Sequence, residues 1–366
     1  MTEVVDTDYL VVGAGASGMA FTDALITSSD ADVVIVDRRS SPGGHWNDTY
    51  PFIRLHQPSA YYGVNSLPLG TDAIDASGVN AGMYERASGH EICAYYERVM
   101  TDRLLASGRV RFFPYCDYTP ERGLVSLLTG DRLAISVRKA VVDAAYLEPS
   151  VPATSAPPFE IGDGVRCVPV HGITRVAEPP DGFVIIGAGK TGADAVLHLL
   201  ESGVPPSHIR WIKPREAWYL NRAFTQGGDL LGTLFSGLAQ QMQACAEASS
   251  AQELFDRLHA AEQMLRVSDD IEPAMFRGPT ISRAEIDLLR QVQDVVRLGH
   301  VRRIDADAIH LDGGSVPTSP GTLHVHAAAG GLNPARHERI RLRAHAKPKP
   351  ASGCASGAGV GAERGI

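Results

Sequence analysis

The sequence predicts an α/β fold of two parallel-sheet units, the second inserted in the first. Three observations predict it. An apolar strand runs into a G-x-G-x-x-G turn and a helix near the N-terminus, and the same succession recurs at residues 183–200. A proline-rich crossover separates the two copies. An apolar alternating stretch then reappears at residues 322–327.

The first unit opens with Tyr9, Leu10, Val11 and Val12, a run suited to a strand buried on both faces. Gly13, Gly15 and Gly18 follow, and residues 14–24 read as a helix. The first glycine permits the tight turn. The second lets a pyrophosphate approach the backbone, and the third lets helix and strand pack closely. Ser17 lies in the first helical turn, where an anion meets the positive end of the helix dipole. Val33 to Val36 form a second apolar strand ending in Asp37. That acid stands about 20 residues past Gly18, where a ribose-binding carboxylate belongs. Strand, glycines and acid together predict a Rossmann-like dinucleotide-binding unit.

Arg38 follows, and then a loop containing Gly43, Gly44 and Trp46. Paired glycines mark a close backbone approach. Trp46 could cover a planar ring or pack in an ordinary turn. Residues 91–106 show helical spacing, and Val110 to Phe113 read as a short strand. Residues 124–128 and 133–137 read as a hairpin. An apolar strand through Val141 and Val142 then leads into Pro149, Pro152, Pro157 and Pro158, a stiff linker.

The second fingerprint is Gly187, Gly189, Lys190, Thr191 and Gly192, between the strand at 183–186 and a helix at 193–200. Its following strand, Ile209 to Ile212, ends in Lys213, Pro214 and Arg215 rather than in an acid. A basic pair at that place suits a 2′-phosphate, with Arg as a fork and Lys as a point charge. This favours NADPH over NADH. Trp218 and Tyr219 could face a ligand or the core. Helices are expected at 229–242, 251–265 and within 281–298, as a helical insertion, followed by a hairpin at 300–311.

The N-terminal G-x-G-x-x-G, the acid Asp37 after the second strand and the Gly-Gly-x-Trp loop together resemble the FAD domain of flavoprotein oxidoreductases, nearest to the flavin-containing and Baeyer–Villiger-type monooxygenases. The resemblance implies FAD in the first unit and NADPH in the second. It places Gly43, Gly44 and Trp46 along the flavin, with Arg54 and Gln57 near the isoalloxazine edge. His45 and His56 are proton shuttles by type, or orienting histidines. The resemblance implies hydride transfer from NADPH to FAD, then oxygen transfer from molecular oxygen to a small organic substrate. No F-x-G-x-x-x-H-x-x-x-W fingerprint of the Baeyer–Villiger enzymes occurs. A flavin reductase with another acceptor, or a nucleotide-binding remnant without turnover, are the rival readings. No catalytic residue is assigned.

The implied domains are a discontinuous FAD domain, residues 1–180 and 318–334, and an NAD(P)H domain, residues 181–317. The 366 residues suffice for about two such cores. The net charge of −8 argues against nucleic acid as partner. Five scattered cysteines without C-x-x-C spacing support neither a dithiol centre nor a zinc knuckle. They suit a reducing, cytoplasmic compartment. No apolar run is long enough to predict a membrane span. His324 and His326 share one strand face, but no third ligand joins them and no metal is assigned. Residues 335–366 are basic, rich in Ala, Gly and Pro, and poor in large apolar side chains. They are expected to be disordered. A truncated or frame-altered C-terminus would account for them; resequencing the coding region tests it.

Overall fold

The computed structural model describes residues 4–145 and 155–328. The expected tail at 335–366 and most of the proline linker lie outside the described residues.

The first sheet has six strands in the order Val110–Phe113, Val33–Val36, Val4–Val12, Arg132–Asp143, Gly123–Ser126, Cys116–Thr119. The first four run parallel, and the last two join them as antiparallel strands. All four residues of Val33–Val36 are buried, as a parallel strand covered on both faces requires. The helices Ala16–Ser28 and Gly89–Arg98 cover one face, packing Met19, Ile26, Ile92 and Tyr96 against Val11, Val33 and Ile35. Leu10, Val34 and Val36 face the other side, against Leu124 of the antiparallel ribbon.

The second sheet has five parallel strands in the order Cys167–Pro169, Thr322–His326, Gly182–Ile186, Ile209–Ile212, Asp294–Val296. The helix Lys190–Glu201 packs Ala193, Val196 and Leu197 on Ile185, Trp211 and Val325. The helices Leu231–Glu247 and Ala251–Ala260 belong to a side layer around the small sheet Met264–Leu265, Ala217–Asn221, Met275–Ile281.

Three expectations are corrected. The strand expected to return to the first sheet, Thr322–His326, instead lies in the second, between Cys167–Pro169 and Gly182–Ile186. The free side of Val4–Val12 is already taken by the twelve-residue strand Arg132–Asp143, paired from Val4↔Ala134 to Val12↔Asp143. Among the described residues the two sheets therefore follow one another along the chain, and no strand re-enters the first. The second unit also starts earlier than residue 181, since Cys167–Pro169 and Glu160–Ile161 pair within it. Finally, Asp294–Val296 was expected in a helix but is a sheet strand; the helix there is the short Arg283–Leu289. Three residues are too few for periodicity to separate the two.

Candidate functional site

Both glycine turns sit at the carboxyl ends of their central strands, where open parallel sheets bind nucleotides. In the first, Gly13 has φ +109°, and its N–H donates to the Val36 carbonyl at 2.8 Å. A Cβ on Gly18 would lie 2.0 Å from the Gly13 oxygen. No side chain other than hydrogen fits there. Gly15 begins the helix Ala16–Ser28 without a side-chain cap and without an acid in the first turn. Ser17 is exposed beside it. The first-turn amides are thus left for an anion, and the residues present fit a pyrophosphate.

Asp37 is buried. One carboxylate oxygen accepts the Ala14 N–H at 2.6 Å and the other the Arg39 N–H at 2.8 Å. These bonds fix the carboxylate beside the turn, where it can also accept from a ribose hydroxyl. Arg38 is exposed next to it. The Gly-Gly-x-Trp loop folds onto the turn: the Gly43 N–H donates to the Ala14 carbonyl at 2.8 Å, and a Cβ on Gly44 would come 3.0 Å from the Gly15 Cα. Trp46 is half-buried against the first core and stacks on His45 at 5.2 Å. Arg54 is exposed, with its guanidinium on the Arg86 carbonyl at 3.0 Å, and Gln57 is half-buried.

The second turn repeats the backbone geometry. Gly187 has φ +143°, and a Cβ on Gly192 would lie 2.2 Å from the Gly187 oxygen. The helix Lys190–Glu201 again has no side-chain cap and no acid in its first turn. Around Gly189 there is open space. Lys190 pairs with Asp194, whose other oxygen accepts the Tyr50 hydroxyl at 2.7 Å. Thr191 lies beside that phenol, and burial followed by the Asp194 charge pushes Tyr50 well above its ordinary value.

At the end of the following strand the structure corrects the sequence. Lys213 is fully buried, ion-paired with Glu216 and 4.4 Å over the Trp211 ring. It does not face the crevice. Arg215 is exposed. Sequence reasoning missed Arg297, at the end of the neighbouring strand, which is partly exposed and bonded to Glu216. Trp218 and Tyr219 are buried, which decides them for the core.

The segment after the Gly-Gly-x-Trp loop locks the two units together. Tyr50 and Phe52 pack on the core of the second unit, and Phe52 stacks on His198 at 4.0 Å. The His56 carbonyl accepts from Arg222 Nε at 2.9 Å and Thr280 Oγ1 at 2.6 Å. Glu285 accepts from Arg222 at 2.6 Å and from Arg86 at 3.3 Å, all three side chains being buried. Burial alone would raise the Glu285 carboxyl, yet Arg222, Lys190 and Arg86 hold it down at about 2. Burial, and then the charge of Lys190, lowers His56 to about 4, so its imidazole is neutral at pH 7. A readable signal existed for Glu285, the Ser282-x-x-Glu285 capping box. Nothing in the sequence joins it to Arg86.

Residues 11–71 match the model of the NAD(P)-binding Rossmann-like domain. The open crystal structure of cyclohexanone monooxygenase superimposes with a TM-score of 0.54 at 14% identity, covering 90% of this chain and 74% of that one. Oxidized steroid monooxygenase bound to NADP gives 0.53 at 17% identity, covering 89% and 72%. The fold is that of the flavin monooxygenases. The uncharacterized proteins Rv2000 of Mycobacterium tuberculosis and Mb2023 of Mycobacterium bovis are 44% identical over 330 residues, 90% of this chain. The chain spans 61% of the length of these curated relatives. Among the described residues, no helix is long and apolar enough to cross a membrane, and no cluster of three or more metal-ligating side chains occurs.

Proposed function

We propose that the chain is an NADPH-dependent, FAD-containing oxidoreductase of the monooxygenase type, acting on a small organic substrate with molecular oxygen. The observation that carries this is the pair of uncapped glycine turns, each at the carboxyl edge of its own parallel sheet. The likeness of fold to monooxygenases, one of them bound to NADP, supports it.

In this reading Gly13, Gly15, Ser17 and Gly18 hold the FAD pyrophosphate, and Asp37 with Arg38 the adenosine end. Gly43, Gly44 and Trp46 cover the cofactor, with Arg54 and Gln57 toward the ring. Gly187, Gly189, Lys190, Thr191 and Gly192 hold the NADPH pyrophosphate. Arg215 reads the 2′-phosphate, joined by Arg297 in place of the buried Lys213. When bound, the flavin supplies hydride acceptance and the reaction with oxygen. The chain's residues bind, orient and exclude water. The Tyr50 and Arg86–Glu285–Arg222 contacts hold the two turns in one arrangement, so that hydride donor and acceptor meet in register. His56 stands at this seam as a neutral imidazole, able to accept a hydrogen bond there.

An absorption spectrum of the purified full chain with excess FAD tests the proposal. Retained flavin bands, bleached by NADPH under anaerobic conditions and restored with oxygen uptake, are expected. Absence of retained flavin would remove the cofactor assignment. Bleaching without oxygen uptake would favour a flavin reductase with another acceptor.

A further inference from the structure

A carboxylate near the end of the second strand is the mark of a site that reads a free ribose hydroxyl and repels a 2′-phosphate. Glu216 is such a carboxylate, three residues after Lys213. We propose that Glu216 instead is a positioning residue for coenzyme selection, holding the Arg297 guanidinium where an adenosine 2′-phosphate would lie. The proposal rests on the NADPH reading of the second unit.

Three observations carry it. First, Glu216 is 3% exposed and both its oxygens are taken. One meets the buried Lys213 ammonium; the other accepts Arg297 Nε at 2.8 Å and Nη2 at 2.7 Å. Such a carboxylate has no free face for a ribose. Second, the topology puts Arg297 on the right edge. Gly187, Lys213 and Arg297 directly follow three neighbouring strands, bound by Gly187 N–H to Ile212 O at 3.0 Å and Lys213 N–H to Val296 O at 2.9 Å. A nucleotide whose pyrophosphate lies on the first of these strands carries its ribose across the second and toward the third. Third, the Arg297 side chain is 31% exposed while anchored, and its Nη1 makes only a 3.5 Å contact with the Val295 carbonyl. That leaves guanidinium donors uncommitted on a side chain that reaches solvent. Lys213 neutralises Glu216 inside the protein, so Arg215 and Arg297 leave the rim of the site positive. A fork fixed in advance loses little freedom when it grips a phosphate.

The test is titration of the full chain with adenosine 2′,5′-bisphosphate and with 5′-AMP, followed by calorimetry. Glu216→Gln alone would strand a buried ammonium, so the variant of choice is Lys213→Met with Glu216→Gln. The wild type should prefer the bisphosphate. The double variant should bind it about tenfold more weakly, with 5′-AMP unchanged. Arg297→Gln should lose as much, and adding it to the double variant should cost nothing further. Arg297→Lys keeps the charge but not the fork, and should lose part of the preference even if the double variant fails to fold. A wild-type preference kept in either of these variants overturns the proposal, as does an equal loss for both ligands, which marks a merely structural role. A wild type without preference overturns the NADPH reading as well, and that row of the experiment alone distinguishes the two failures.

Discussion

The two glycine turns differ in almost nothing that is backbone and in almost everything that is side chain. A Cβ on Gly18 or Gly192 would meet the first glycine's oxygen at 2.0 or 2.2 Å. Yet the first turn is covered by Gly44 and flanked by an acid that accepts the Ala14 amide, whereas the second is open at Gly189 and flanked by a buried Lys–Glu pair. In the proposed reading the helix N-terminus takes the anion in both, and selection between nucleotides falls to the end of the next strand, where burial decides which charges are on offer.

The comparison breaks hardest at the third glycine. Gly18→Ala or Gly192→Ala forces helix and turn apart, and each should cost about 3 kcal/mol. Denaturant melts should show it, with nucleotide binding lost in the affected unit. The second glycine separates binding from stability. Gly189→Val meets open space and should leave the melting temperature in place while abolishing binding of adenosine 2′,5′-bisphosphate. Gly15→Val, with Gly44 against it, should lose flavin and some stability together. Equal effects at the two positions would show that Gly44 is no cover.

Arg215→Ala should weaken NADPH about tenfold, roughly 1.5 kcal/mol, and leave NADH unchanged. Lys213→Ala should act on stability instead, because it leaves Glu216 buried beside Arg297 alone; a selective loss of NADPH without destabilisation would contradict that assignment. The last effect, confined to acid, belongs to His56. Its folded value of about 4 lies below the ordinary 6.5, so between those values the unfolded chain binds the extra proton. Its contribution to stability is therefore whole above pH 6.5 and lost as pH falls toward 4. His56→Gln should melt progressively higher relative to wild type across that window; parallel curves would refute it.

Both strand–turn–helix units were legible because glycine spacing encodes backbone directly, and a run such as Val33–Val36 can only be a covered strand. Asp37 was legible for the same reason: its place is fixed by the strand it ends. The sheet to which Thr322–His326 belongs was not legible. An apolar strand declares that it is buried but not beside what, and the free side of Val4–Val12 in the first sheet is filled by Arg132–Asp143. Lys213 was misjudged because charge in a sequence reads as exposure. Only the fold shows that Glu216 and Trp211 take that ammonium inside. Arg297 lies 84 positions beyond Lys213 and becomes its neighbour only through the pairing of Ile209–Ile212 with Asp294–Val296.

The buried Arg86–Glu285–Arg222 seam has a consequence for the order of folding. Arg86 and Glu285 are 199 residues apart in sequence, whereas most strand pairs of the first sheet close far shorter loops. Long closures are the slow ones. Each unit can therefore collapse around its own sheet before the seam exists, leaving Glu285 and the arginines hydrated until the two bodies dock. Docking strips water from three charges at once, which makes it the step most exposed to added salt and to acid. Refolding should then show a late phase that slows as ionic strength rises, after each sheet has already formed.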